Sequence, residues 1–489
     1  MSDSRAKQNS GRKHRHAGAG SAKALAHPKG RLVDPDAVSE INTLLGHRTP
    51  VRAELIEYLH VINDAKGHLS ARDLAALAEI MRLSMAEVFE VASFYAHFDI
   101  VAEDQSPPPE ITVRVCDSLS CEMAGAAALK AALVAKTGEN VRIISAPCMG
   151  RCDRAPVAAV GRNHITAADP DTVANAAAAG ETEAVVAGYV DLEDYAQGKG
   201  YALLQACRSG KRKPQEIIDI LKSAGVRGLG GAGFPAATKW DFVRAEPGPR
   251  ILAVNADEGE VGTFKDRHYL ETDPHRVLEG MLIAAWAIEA DEVYIYLRDE
   301  YPHIRKILQK EVKRLQKRNL KRPTIHLRRG AGAYVCGEES AMLESLEGKR
   351  GLPRHKPPFP AQSGLFGRPT LIHNVETLYW IRDLVEKGPE IFSAQGRGGR
   401  HGLRSFSVSG RVKNPGVKLA PAGISAQELI DEHCGGMLDG HAFKAYLPGG
   451  ASGGILPASL GGLPLDFGTL EDYGCFIGSA ALIILSEHD

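Results

Sequence analysis

A chain of 489 residues is too long for one hydrophobic core, and at about 150 residues per domain it divides into roughly three units. Hydrophobic residues make up 44% and charged residues 24%, ordinary globular values, and a formal net charge of -1 gives no reason to expect nucleic acid or a membrane surface as a partner. No early apolar run resembles a signal peptide and no stretch reaches the length of a spanning helix, so a cytoplasmic protein is expected, in which metal ligation by cysteine is considered before disulfides.

The chain opens with a basic arm, assigned to residues 1–33, in which eight Lys and Arg stand against Asp3 between Gly, Ser and Ala. That composition reads as a disordered, solvated tail. Residues 34–100 read as a helical bundle. Thr49 and Pro50 supply an N-cap and a first-turn proline for a helix running to about Asp64, with Gly67 beyond its end. Ser70 with Asp73, and Ser84 with Glu87, are capping-box patterns. The aromatic end of the bundle, Phe89, Phe94, Tyr95, His97 and Phe98, reads as core or interface packing.

A Pro-rich linker at Asp104 to Glu110 precedes a compact α/β unit over residues 111–182, with strands at Ile111 to Val115 and Val141 to Ser145 and helices near 124–135 and 172–179. Both strands run into cysteine loops, C-x4-C at Cys116 and Cys121 and C-x3-C at Cys148 and Cys152. Zinc knuckles favour C-x2-C, and the plant-type ferredoxin spacing also differs. Four thiolates from two neighbouring loops suit a [2Fe-2S] cluster, with structural zinc and free cysteines as the alternatives. Cys207, Cys336, Cys434 and Cys475 have no metal-spaced partner.

After a second linker, about residues 184–201, a helix at Lys213 to Ala224 is opened by Pro214 and closed by Gly225. The loop that follows matches G-x-G-x-x-G at Gly228, Gly230 and Gly233. A helix stands where a Rossmann fold has a strand, so the loop reads as an anion cradle in a non-Rossmann fold. The strand Ile251 to Val254 runs into an acidic loop holding Asp257, Glu258 and Glu260, placed where a dinucleotide site keeps its ribose-binding acid. A helix through Leu278 and Ile288 and a strand at Glu292 to Leu297 continue the α/β pattern. A second glycine loop, Gly330 to Ser340, leads into a helix at Ala341 to Glu347. The rigid basic loop Gly351 to Pro360 offers Lys356 for phosphate and Phe359 for base stacking. Strands, one helix and glycine turns fill residues 403–457; Gly449 to Gly454 lacks the Walker ending and reads as structural turns.

The bundle, the α/β unit and the cysteine spacing together resemble the small thioredoxin-like [2Fe-2S] subunit of respiratory complex I. Residues 228–240, 255–267, 330–361 and 371–377, in this order, resemble the NADH-binding flavoprotein subunit of complex I and the diaphorase subunits of NAD-reducing hydrogenases and NAD-dependent formate dehydrogenases. With both parts fused in one chain, the sequence is most similar to the β subunit of molybdenum- or tungsten-dependent formate dehydrogenase. The resemblance implies an α/β and α+β multidomain fold. It comprises the bundle, the thioredoxin-like domain, an FMN/NAD-binding α/β domain over 200–395, a β-grasp module over 400–470 and a C-terminal strand in 471–489.

By the same resemblance, Gly228, Gly230, Gly231, Lys239, Asn255, Asp257, Glu258, Tyr334, Gly337, Glu338, Asn374 and Thr377 would surround FMN, with Glu258 near the flavin and no side chain acting as nucleophile or obligatory acid or base. Phe234 and Phe242 would stack on the NAD adenine, with Phe359 flanking it, and Glu260, Glu339 and Lys356 would contact the rest of the dinucleotide. Cys116, Cys121, Cys148 and Cys152 would hold the [2Fe-2S] cluster. The implied partner is a molybdopterin-containing catalytic subunit with further iron–sulfur clusters, with no nucleic acid and no membrane insertion. There are two departures from the family pattern. His373 stands where the family has Asn, and the sequence ends without the family's helical bundle and cysteines for a [4Fe-4S] cluster. A non-catalytic electron-transfer or assembly scaffold is the reading of another class.

Overall fold

The computed structural model describes residues 33–318 and 323–489; the basic arm Met1–Leu32 lies outside them. Four helices come first, α1 (Pro35–Leu44), α2 (Leu55–Lys66), α3 (Ala71–Met81) and α4 (Met85–Phe94). Both capping boxes form, Ser70 with Asp73 and Ser84 with Glu87, and Gly67 ends α2 in the left-handed conformation. Thr49 and Pro50 do not start α2. A 3-10 turn at Arg52–Glu54 does so, and the Val51 N–H is satisfied by the Tyr58 hydroxyl at 3.1 Å instead of by a cap.

The cysteine-bearing unit consists of β1 (Ile111–Cys116), α5 (Ala126–Lys136), β2 (Val141–Ala146), β3 (Val157–Val160), β4 (Asn163–Thr166) and α6 (Pro170–Ala178). Its sheet order is β2-β1-β3-β4, with β1 and β2 parallel and the other pairs antiparallel. The short hairpin β3–β4 has too brief an alternation to be read from the sequence.

The expected second linker contains a helix, α7 (Leu192–Gln197), capped by Asp191. Leu192, Tyr195 and Tyr201 are buried there in the largest core, and Tyr195 Oη and the Tyr201 N–H both donate to Glu279, at 2.7 and 2.9 Å. Fewer than two helical turns leave no periodicity to detect. Next come α8 (Pro214–Ser223), α9 (Ala236–Ala245), β5 (Arg250–Ala256), α10 (Lys265–Thr272), α11 (Pro274–Ala287), β6 (Ala290–Leu297), α12 (Pro302–Lys317), β7 (Thr324–Arg329), α13 (Glu339–Leu346), β8 (Thr370–Asn374) and α14 (Val375–Tyr379). The four strands form an all-parallel sheet of order β8-β5-β6-β7.

This sheet explains the uniformly apolar β5. Leu252 and Val254 face the core built with α8, α9, α11 and α12, whereas Ile251 and Ala253 face the core of the N-terminal bundle. On β6, Val293 and Ile295 divide from Tyr294 and Tyr296 in the same way. A parallel sheet must be covered on both faces, and α1–α4 supply the second cover. The bundle expected as a unit of its own therefore shares one core with the parallel sheet. Its aromatic end fastens the second glycine loop: Ala96 and His97 N–H groups donate to Gly332 and Ala331 carbonyls at 3.1 Å each, and His60 Nε2 lies 2.8 Å from Gly330 O.

The last unit is a five-stranded mixed sheet of β9 (Leu403–Gly410), β10 (Gly416–Pro421), β11 (Phe443–Pro448), β12 (Leu456–Pro457) and β13 (Ala481–Ser486), in the order β10-β9-β13-β11-β12. The C-terminal strand β13 is thus its central strand, parallel to β9 and antiparallel to β11, and not an appendage to it.

Candidate functional site

All four strands of the parallel sheet deliver loops to one crevice at their C-terminal ends. The strand order turns back between β5 and β8, and such a switch point is where open α/β sheets bind ligands. Asn255 and Asn374 are register partners at that point. Over them lies the first glycine loop, which closes on itself through Gly228 N–H to Phe234 O at 2.8 Å. It docks on the start of α14 through the Leu229 N–H to Thr377 Oγ1 at 3.0 Å. A Cβ on Gly230 would stand 2.8 Å from Asn374 Cβ, so only glycine lets the loop lie so close. Asn374 is itself fixed, its Oδ1 accepting from Thr377 N–H and Oγ1 at 3.1 and 2.5 Å and its Nδ2 donating to Asp266.

The acidic loop and the second glycine loop meet through Asn255, whose Nδ2 donates to Gly337 O at 2.9 Å while its Oδ1 accepts from the Asp257 N–H at 3.1 Å. Asp257 keeps a buried Oδ2 with no hydrogen-bond partner. Burial pushes its carboxyl up to about 7, with the Arg298 cation opposing. Glu258 turns elsewhere. It caps α10, accepting from the Asp266 and Arg267 N–H groups at 2.8 and 3.0 Å, and takes the Tyr301 hydroxyl at 2.9 Å. Burial, then the charge of Asp266, pushes its carboxyl to about 7. Glu258 is expected near the flavin; its carboxylate is taken up by the open helix N-terminus that follows this loop.

Glu260 is held by Tyr334 Oη at 2.5 Å and by the Ser452 N–H and Oγ at 2.9 and 2.7 Å. The run Gly449 to Gly454 consequently joins the crevice wall, a role beyond a structural turn, and Ser452 is a site residue that sequence reasoning missed. Only the run's unusual glycine density could have marked it. Lys356 bridges Glu339 and Glu338 at 2.7 and 3.3 Å, and Lys239 lies 3.5 Å from Glu339. Glu338 also caps α13 through the Ser340 and Ala341 N–H groups. Phe234, Phe242, Tyr334 and Phe359 stand exposed around the rim, the first two with ring centroids 6.4 Å apart. Gly231 has open space where a Cβ would point. His373 lies outside the crevice: its Nε2 accepts from Trp240 Nε1 at 2.7 Å, and burial lowers its pKa to about 3, so the ring is neutral with its proton on Nδ1.

Parallel β1 and β2 carry the cysteines to one edge. All four are buried, and the sulfurs of Cys148 and Cys152 lie 3.3 Å apart. Among the described residues no group of three or more His, Cys, Asp or Glu is opened around a single metal ion. The donor set is instead four buried soft thiols on two neighbouring loops, which suits an iron–sulfur cluster. The loops reach the crevice through Phe264, packed on Cys148 and Cys152, and through Arg298, whose Nη2 donates to Cys148 O at 2.6 Å.

A family model described as the Nuo51 FMN-binding domain matches residues 221–383, and one described as the thioredoxin-like [2Fe-2S] ferredoxin matches residues 41–180. The chain is 42% identical over 306 residues to the F 2 subunit of NADH-quinone oxidoreductase in Rhizobium meliloti (strain 1021), covering 60% of this chain and 72% of that protein. It belongs to the family of NADH-quinone oxidoreductase F subunits. The F subunit of Aquifex aeolicus (strain VF5) is 40% identical over 307 residues, or 61% of this chain and 70% of that one. Among solved structures, the NAD+-reducing [NiFe]-hydrogenase in the air-oxidized state aligns with a TM-score of 0.77 at 33% identity, over 89% of this chain and 78% of that chain. FMN, NAD(H) and a [2Fe-2S] cluster are thus the cofactors of this F-subunit relative. The crevice fits the flavin: a glycine-floored cradle beside an orphaned Asp257 oxygen suits a planar ring with N–H groups at its edge.

Proposed function

We propose that this chain is the diaphorase subunit of a formate dehydrogenase, exchanging electrons between NAD(H) and iron–sulfur clusters. The observation that carries the diaphorase reading is one chain placing a glycine-floored, acid-edged crevice beside a buried four-cysteine set, joined through Arg298 and Phe264. When bound, FMN takes electrons as a hydride pair and releases them singly, which lets nicotinamide and iron–sulfur chemistry meet. Gly228, Gly230, Gly231, Asn255, Gly337, Asn374 and Thr377 would form the cradle, and the unpartnered Asp257 oxygen would be free to accept a ring N–H. Tyr334 and Glu338 close its far side. Lys239 and Lys356 face phosphate, with Glu339 fixing both ammonium groups. Phe234, Phe242 and Phe359 offer faces for the adenine, and Glu260, locked by Tyr334 and Ser452, faces the dinucleotide with its geometry preset. Cys116, Cys121, Cys148 and Cys152 hold the [2Fe-2S] cluster. No side chain needs to act as a nucleophile.

No described helix is long and apolar enough to cross a membrane. Purified protein should carry flavin absorbance that NADH bleaches under anaerobic conditions; protein that binds no FMN sinks the reading. The fusion of both units fits formate dehydrogenase without excluding the hydrogenase, and co-purification with a molybdopterin protein giving formate-dependent NAD+ reduction tests it. A second reading, the diaphorase of an NAD-reducing hydrogenase, is favoured by the likeness to that enzyme over 89% of the chain. Co-purification with a nickel protein would select it.

A further inference from the structure

The short turn after β6, Leu297 to Tyr301, touches both redox loops at once. Arg298 is 4% exposed. Its Nη1 donates to the carbonyl of Glu258 in the acidic loop, its Nη2 to the carbonyl of Cys148 at 2.6 Å, and its Nε to Glu300 at 3.2 Å. The guanidinium also lies over the Tyr301 ring, 5.0 Å from its centroid. Tyr301 donates to Glu258 Oε2 at 2.9 Å, and its ring occupies the space where a Cβ on Gly150 would stand, between Cys148 and Cys152.

Docking alone does not require a cation there. The same cysteine loop is already tied to the flavin unit by Asp153 with Arg267 at 3.0 Å and by Arg151 with Glu271 at 2.8 Å. A guanidinium buried against two carbonyls and one carboxylate is costly to desolvate. What it adds is a fixed positive charge at the Cys148 loop of the four-cysteine set. One-electron reduction of a cluster adds negative charge to that buried set, and charge and hydrogen bonds around the ligands tune its potential.

We propose that Arg298 is a positioning residue that raises the reduction potential of the cluster held by Cys116, Cys121, Cys148 and Cys152 while fixing that cluster's loop against the flavin crevice. The inference rests on the diaphorase reading. Removing the charge leaves the reduced cluster less stabilised and Glu300 with only the His97 ring 3.7 Å away, and both effects move the potential in the negative direction.

The test is an EPR-monitored redox titration of the full, cofactor-loaded protein. Arg298→Gln should lower the [2Fe-2S] midpoint, and Arg298→Lys, which keeps the charge but cannot span both carbonyls, should lower it by less. Arg404→Gln, which removes an equally buried arginine paired with Asp466 at 2.8 Å in the last sheet, should leave it unchanged. An unmoved midpoint in Arg298→Gln overturns the inference. If that variant does not retain the cluster, Arg298→Met, which also removes the charge but keeps an unbranched side chain, carries the test, and an unmoved midpoint there overturns the inference equally. Wild-type protein lacking any [2Fe-2S] signal would instead defeat the diaphorase reading itself, so the two failures are separable.

Discussion

Replacing Asp257 with asparagine should stabilise the flavin-free protein at pH 8 and leave it nearly unchanged at pH 3. The Asp257 carboxyl is raised from 3.8 to about 7 by burial, with Arg298 pulling it down and Glu300 pushing it up. Below about pH 4 folded and unfolded chains both hold the proton. Between about pH 4 and 7 the folded chain keeps it and the unfolded chain has released it, so stability falls as pH rises through that window. A difference of about three pH units, at about 1.4 kcal/mol each, caps the loss at about 4 kcal/mol. Asparagine does not ionise and removes this share of the slope. Glu258, also at about 7, contributes a slope of the same sign that persists in the variant, so the gap between the two proteins is the quantity to measure. Thermal melts of flavin-free wild type and variant from pH 3 to 8 should separate progressively between about pH 4 and 7 and keep a constant gap above that, and saturating FMN should flatten the wild-type curve. Parallel curves across the range would refute the placement of an unpartnered buried carboxylate here.

Lys265 is 1% exposed and lies 2.9 Å from Asp266 and 3.0 Å from Glu376. Lys265→Met leaves two buried carboxylates without their cation, and a loss of about 3–5 kcal/mol should appear as a large drop in melting temperature. Ser452→Ala removes a 2.7 Å bond to the Glu260 carboxylate. Bonds to charged groups are worth about 1.5–3 kcal/mol, so KM for NADH should rise roughly tenfold or more in a dye-reduction assay with FMN content unchanged. Cys148→Ser should abolish the [2Fe-2S] EPR signal while flavin absorbance remains.

Much of the crevice was legible because its chemistry depends on local residue type. A helix before the loop of Gly228 to Gly233 excluded a Rossmann reading, and that helix forms as α8. The apolar run of β5 and the acids after it marked a strand entering a polar site. What stayed hidden depends on distant partners. Glu258 looks like Asp257 in sequence, yet the N–H groups of Asp266 and Arg267 claim it. His373, a departure from the family pattern, is absorbed by Trp240, which approaches from α9. Ser452 reaches Glu260 from a separate sheet, and Arg298 sits in an unremarkable polar turn. The C-terminal strand gave no sign that it runs through the middle of its sheet.

The sharing of one core between α1–α4 and the parallel sheet has a consequence for synthesis. The bundle leaves the ribosome with its inner face bare, since its counterpart ends with β8 at Asn374. At about 5–20 residues per second, the roughly 280 residues from Phe98 to Asn374 take about 15–55 s to emerge. Until then the shared core to which Ile41, Leu59, Leu77 and Val91 belong is incomplete. The nascent chain therefore passes through a long aggregation-prone stage, and holdase chaperones or slow local translation should raise the yield of folded protein more than any change in the crevice.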